Sequence, residues 1–205
     1  SDSAVGQEHL ANVRKIIQPL GLELAADLPF KSDINDAGID AVVKQIASSG
    51  AQMVFNHGST GIYEKIIRKA REQRLSTQFY GVNSGSTQLA RHLGPLAQNM
   101  IFAQVMPSPW ERKTAITRAY QEAFKAYKPK EDFSYGSLEG YMTARALVEA
   151  LRRAGPNPTR DSFVAGLKDA DLQIDGLKVN YRNGTHTGLS LVDLAIVTRE
   201  GKFRH

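Results

Sequence analysis

Three short apolar runs, Met53–Phe55, Gln78–Gly81 and Ile101–Val105, are separated from one another by helical patterns, and that alternation limits what the chain can fold into. Between the first two, Ile62, Ile66, Ile67 and Ala70 recur at helical spacing; between the second and third, Ser86–Leu93 reads as a shorter helix. Parallel strands need crossover connections, and right-handed crossovers place the helices outside the sheet. The expected class is therefore α/β, a three-layer sandwich with a mostly parallel sheet. Within it, Gln52–Gly61 passes from an apolar strand through small polar residues into a helix. Loops of this kind lie at the carboxyl ends of the strands, where free amides and the helix dipole favour anionic groups.

With 205 residues, 41% of them hydrophobic, the chain can bury a substantial core in one large domain or two small ones. Its 26 basic and 21 acidic residues leave a net charge of +5, spread along the same helices and implying no nucleic-acid partner. No run approaches the roughly 18 apolar residues of a membrane span. No basic-then-apolar signal segment opens the chain, so the expectation is a cytosolic protein or one whose leader has been removed. The absence of cysteine excludes disulfides, thiolate metal sites and cysteine catalysis.

The other elements follow from spacing and punctuation. Leu10, Val13, Ile16, Ile17 and Leu20 predict a first helix closed by Gly21. An apolar run at Leu22–Leu28 is followed by a second helix through Ile39, Val42, Val43 and Ile46, ending near Gly50. At Met106-Pro107-Ser108-Pro109-Trp110 the two prolines forbid helix and suit a hinge strand crossing between lobes. Helices are then expected over Thr114–Tyr127 and Leu138–Arg153, with Thr159 capping a shorter one through Leu167. Leu177–Tyr181 and Leu189–Val197 read as two strands joined by the turn Arg182-Asn183-Gly184. The helices of the second half have no strands between them, so they are expected to need a sheet from elsewhere.

The run from Tyr135 to Arg160, YGSLEGYMTARALVEALRRAGPNPTR, resembles the long helix and following turn of type I periplasmic substrate-binding proteins, in particular the leucine/isoleucine/valine-binding group that serves ABC importers. Asp2–Leu10 is similar to the first helix start of that family's second lobe, Ala70–Gly81 to a helix-to-strand passage, Val105–Trp110 to the lobe-crossing segment and Gly184–Phe203 to the closing strands. The resemblance implies a C-terminal part of such a protein, without its N-terminal lobe. It assigns 1–105 to the βα core of lobe two, 106–176 to the hinge crossing (Met106, Pro107, Pro109) and lobe-one helices, and 177–205 to return strands completing lobe two. The apolar face Tyr141, Ala144, Leu147, Val148 and Leu151 would then need covering by further chain, by self-association with a second copy, or by altered packing.

By the same resemblance, the ligand-binding residues are Val5, Gly58, Ser59, Thr60, Asn83 and Ser84. Ser59 and Thr60 offer hydroxyls and amides suited to a carboxylate, and serve equally as caps of the helix that follows. At Asn83 amino-acid binders of the group place an acid for the ligand ammonium, and at Val5 an aromatic residue. Both differ here, which leaves room for a carboxylate lacking an amine, aromatic or short aliphatic.

Catalysis is not expected. His57 lies near Ser59, but Gly58-Ser59-Thr60-Gly61 is not a nucleophile elbow. The five histidines show no paired ligand spacing, so no metal or other cofactor is expected. Phosphate-loop and dinucleotide fingerprints are missing. The basic group Lys65, Arg68, Lys69, Arg71 and Arg74 reads as a solvated helix face rather than a nucleic-acid surface.

The function implied is a periplasmic solute-binding protein that delivers a small organic ligand, a branched-chain amino acid or a related carboxylate or aromatic acid, to the permease of an ABC importer, the ligand stabilising the closed state by touching both lobes. A C-terminal part by itself is expected to bind weakly. The alternative is a ligand-sensing receptor domain of a regulatory protein, with the same fold and no transport.

Overall fold

The computed structural model describes residues 2–168, 171–182 and 185–205. The chain forms two units, Ser1–Ala103 with Leu194–His205, and Gln104–Asp193.

In the first unit the helices begin where a side chain takes up a free amide. Ser3 caps α1 (Ala4–Ile17) by accepting from the Gly6 amide, and Asn35 caps α2 (Asp36–Ser49) by accepting from that of Gly38. Each stops at a glycine in the left-handed region that L-residues avoid: α2 at Gly50, with φ 66°, and the 3₁₀ turn continuing α1 at Gly21, with φ 67°. β1 (Met53–Phe55), α3 (Thr60–Glu72), β2 (Gln78–Val82), α4 (Ser86–Leu93) and β3 (Ile101–Gln104) then alternate as the apolar spacing requires. β1 pairs with β2, and β2 with β3, in parallel.

From the end of the chain, β6 (Asp193–Val197) and β7 (Phe203–Arg204) complete a five-stranded sheet of order β1-β2-β3-β6-β7, with β6 and β7 antiparallel. The Val197 amide and carbonyl bond to Met100 and Asn99, just ahead of β3. One sheet face packs Val54, Phe79, Phe102 and Val197 against Ile39, Val43 and Ile46 of α2, Tyr63, Ile66, Ile67 and Ala70 of α3, and Leu89, Ala90 and Leu93 of α4. Tyr63 crosses this core and donates its hydroxyl to the Tyr80 carbonyl at 2.6 Å, burial raising its pKa so that it stays a donor.

Gly81 sits in β2 because the ring of Phe102 lies directly against it. A methyl there would stand 2.6 Å from Phe102 Cε1 and 2.8 Å from Cδ1, and that ring is itself fully buried. Gly81→Ala is expected to cost about 1–3 kcal/mol by overpacking. The measurement is a lower urea midpoint with unchanged slope.

In the second unit, Thr114 caps α5 (Ala115–Tyr127), while Ser134 and Thr159 form capping boxes ahead of α6 (Tyr135–Ala154) and α7 (Arg160–Leu167). β4 (Asp171–Ile174) and β5 (Leu177–Asn180) make an antiparallel hairpin around Asp175-Gly176, whose φ values are 48° and 81°. Ile116, Leu172, Ile174 and Val179 pack there with Tyr141, Met142 and Ala146 of α6.

Three expectations change. The strand at Leu177–Asn180 pairs with β4 and lies in a different sheet from β6, because the two-residue Asp-Gly turn closes a shorter hairpin. The turn residues Asn183 and Gly184 lie outside the described residues. The second-half helices have a small sheet of their own, and Tyr141 packs 5.8 Å from the Tyr120 ring inside it, while Leu147, Val148 and Leu151 stay exposed. The apolar run Leu22–Leu28 lies outside the sheets, with Leu22 and Leu24 exposed.

Candidate ligand site

The loops after β1 and β2 meet. Gly85, at φ 71°, begins α4, and a Cβ on it would fall 2.5 Å from Thr60 Cγ2 at the start of α3. Only a residue without a side chain lets the two loops close up in this way. Thr60, Asn83 and Ser84 are thereby held together, with Thr60 and Ser84 exposed and Asn83 half-buried. Gly58 is packed similarly: a Cβ there would stand 3.0 Å from the ring of Phe30.

Ser59 does what its position before a helix suggests, its hydroxyl accepting the Ile62 amide at 3.3 Å. The Asn83 backbone carbonyl likewise accepts the Ser86 amide at 3.1 Å, turning the chain into α4. The two loops therefore offer hydroxyls, an amide side chain and helix-start amides, and none of these six positions carries a formal charge. Such a surface suits an anion held by hydrogen bonds rather than an ammonium.

Val5 is exposed on the second residue of α1. What ties this helix to the loops is His9, whose ring stacks on His57 with centroids 3.6 Å apart and planes at 23°. The position was open to discovery in the sequence, since His9 follows Val5 by one helical turn and shares its face. His57 is therefore placed as a stacking partner, and Ser59 as a cap. Met106 and Pro109 are buried in the second unit, where the Pro109 carbonyl accepts from Gln121 Nε2 at 2.9 Å. Trp110 stands edge-on to Tyr135 at 5.4 Å.

The cations of α3 are committed to local partners. Lys65 and Lys69 pair with Asp36 and Asp40 of α2, Arg68 with Glu64, and Arg71 lies over the Phe79 ring. Among the described residues, no group of three or more His, Asp or Glu is placed to hold a metal, and no helix is long and apolar enough to cross a membrane.

The family model for periplasmic binding proteins matches residues 1–201. Among solved structures, an extracellular ligand-binding receptor from Verminephrobacter eiseniae superposes with a TM-score of 0.82 at 22% identity, over 100% of this chain and 59% of its own. A branched-chain amino acid ABC transporter protein from Thermus thermophilus with bound valine gives 0.82 at 21% identity, over 99% and 56%. A fatty acid ABC transporter substrate-binding protein from Thermomonospora curvata gives 0.80 at 20%, over 99% and 54%. This chain thus spans somewhat more than half the length of each. No curated protein matches it.

Proposed function

The chain belongs to the periplasmic binding protein family, and on that premise we propose that it binds a small organic carboxylate without a neighbouring ammonium, as the extracytoplasmic solute-binding component of an ABC importer. The observation that carries this reading is the pair of loops closed through Thr60 and Gly85, rich in hydrogen-bond donors and neutral at Asn83. A carboxylate set against the start of α3 gains from the helix dipole and from free amides. An ammonium at Asn83 would meet an amide oxygen instead of a carboxylate and would lose a charge-assisted bond. The solved structures named above include one with bound valine and one described as a fatty acid ABC transporter substrate-binding protein.

Met106, Pro107 and Pro109 serve in this reading as the hinge, and the exposed Leu147, Val148 and Leu151 of α6 as a face for association with further chain or a second copy. Family and structural neighbours are binding proteins, and no catalytic role is assigned.

The test is a thermal-shift comparison of matched pairs, each amino acid against its des-amino acid: leucine against 4-methylpentanoate, phenylalanine against 3-phenylpropanoate. A ligand at 100 times its Kd raises stability by about 2.7 kcal/mol, roughly 5–10 °C for a chain of this size. The des-amino member of a pair is expected to give the larger shift. A larger shift with the amino acids, or none with any acid at millimolar concentration, overturns the reading.

A further inference from the structure

We propose that His9 and His57 form a pH-sensitive latch that fastens α1 to the loop ahead of α3, closed while the pair holds at most one proton and released when both rings are protonated. The latch stands on geometry. The two imidazoles lie face to face, 3.6 Å between centroids, one on α1 and the other in the loop between β1 and α3. Stacking of neutral rings, or of one neutral and one cationic ring, is attractive, whereas two imidazolium rings at this distance repel. Nearly parallel rings also direct their nitrogens side by side and not towards a common point, so the pair is not a two-histidine metal chelate.

The position of the pair gives the latch a consequence. α1 has no fully buried residue, and the stack ties its second turn to the loop ahead of α3. Val5 lies one turn before His9 on the same face, and Gly58 directly follows His57. Opening the stack therefore loosens the α1 turns that carry Val5 and His9 from the loop that carries His57 and Gly58.

Burial first, then His9, hold the His57 imidazole below its ordinary value of 6.5, against a raising hydrogen bond to its own backbone. His9 is cationic when protonated, so acid adds charge of one sign to this contact. Because the folded-state value lies below the unfolded one, the unfolded chain takes up the proton more readily. The stabilisation is complete above pH 6.5 and is lost as pH falls below it.

The experiment follows the imidazole resonances by NMR from pH 7.5 to 5.0, with thermal melts at both ends, in the 205-residue chain and in His9→Gln and His57→Gln. Expected are a His57 titration that moves up when His9 is replaced, a melting temperature falling with acid in the parent but much less in either variant, and amide exchange in the first turns of α1 faster by roughly tenfold at pH 5.0 after correction for intrinsic rates. A His57 titration indifferent to His9, or equal pH dependence of melting in parent and variants, overturns the latch. Should a variant fail to fold, the parent decides alone: independent titration of the two rings, with unchanged exchange in α1, overturns it equally. None of these readouts depends on the identity of the solute.

Discussion

Phe79→Ala is expected to destabilise the chain by about 3–5 kcal/mol, the range for removing a fully buried phenylalanine from a core that cannot collapse around the gap. Phe79 is completely buried in β2, between Val54 beside it and the helices above. Its ring stands edge-on to Tyr63 at 6.0 Å, and the Arg71 guanidinium lies 5.0 Å above its centre. The substitution therefore removes apolar burial, an aromatic pair and a cation–π contact at one place. Against a total stability of roughly 5–15 kcal/mol this is a large fraction, and the melting temperature should fall by about 10 °C. Phe79→Leu should recover a substantial part, because it refills most of the volume. Circular dichroism melts measure both variants. A loss below about 1 kcal/mol would mean that this face of the sheet is not packed as described.

Asn83→Asp should invert ligand preference with little change in fold. The residue is half-buried in the loop after β2 with its side-chain oxygen inward, and the helix-turning bond at this residue is made by its backbone, which the substitution leaves alone. A carboxylate there would repel an acid that has no amine and would pair with an ammonium. Hydrogen bonds to charged groups contribute about 1.5–3 kcal/mol, so the ratio of amino-acid to des-amino affinity should rise by roughly ten- to a hundredfold. Isothermal calorimetry on matched ligand pairs measures the ratio. An unchanged ratio, with both ligands still bound, would remove Asn83 from the site and leave the loops to be assigned afresh.

The cap and the close-packed glycines of these loops have local signals. Ser59 precedes the apolar stripe of α3 and caps it, and Gly58 and Gly85 lie where loops approach other parts of the unit closely. The Thr60–Gly85 closure was not legible, since these residues meet only after β1 and β2 have paired. His9 was missed for a related reason. Its helical phase could be read, but its partner lies 48 positions away in sequence, since 57 − 9 = 48. The Asp175-Gly176 hairpin is a different case, because the dipeptide was in plain view between apolar residues and is a strong short-range turn signal. The competing strand reading at Leu189–Val197 concealed it.

By itself the sequence determined the helices and their caps, the three strands that alternate with helices in the first half, and the α/β class that follows from that alternation. Periodicity, caps and left-handed glycines act within a few residues, so they are written locally. The tertiary structure alone decided which strands share a sheet, that β5 turns back on β4 while β6 joins β3, that Leu22–Leu28 stays unpaired, and that the loops after β1 and β2 close on one another. A strand's apolar face specifies that it must be buried but not against which neighbour. That choice is made by contacts between distant residues, whose sum no local pattern contains.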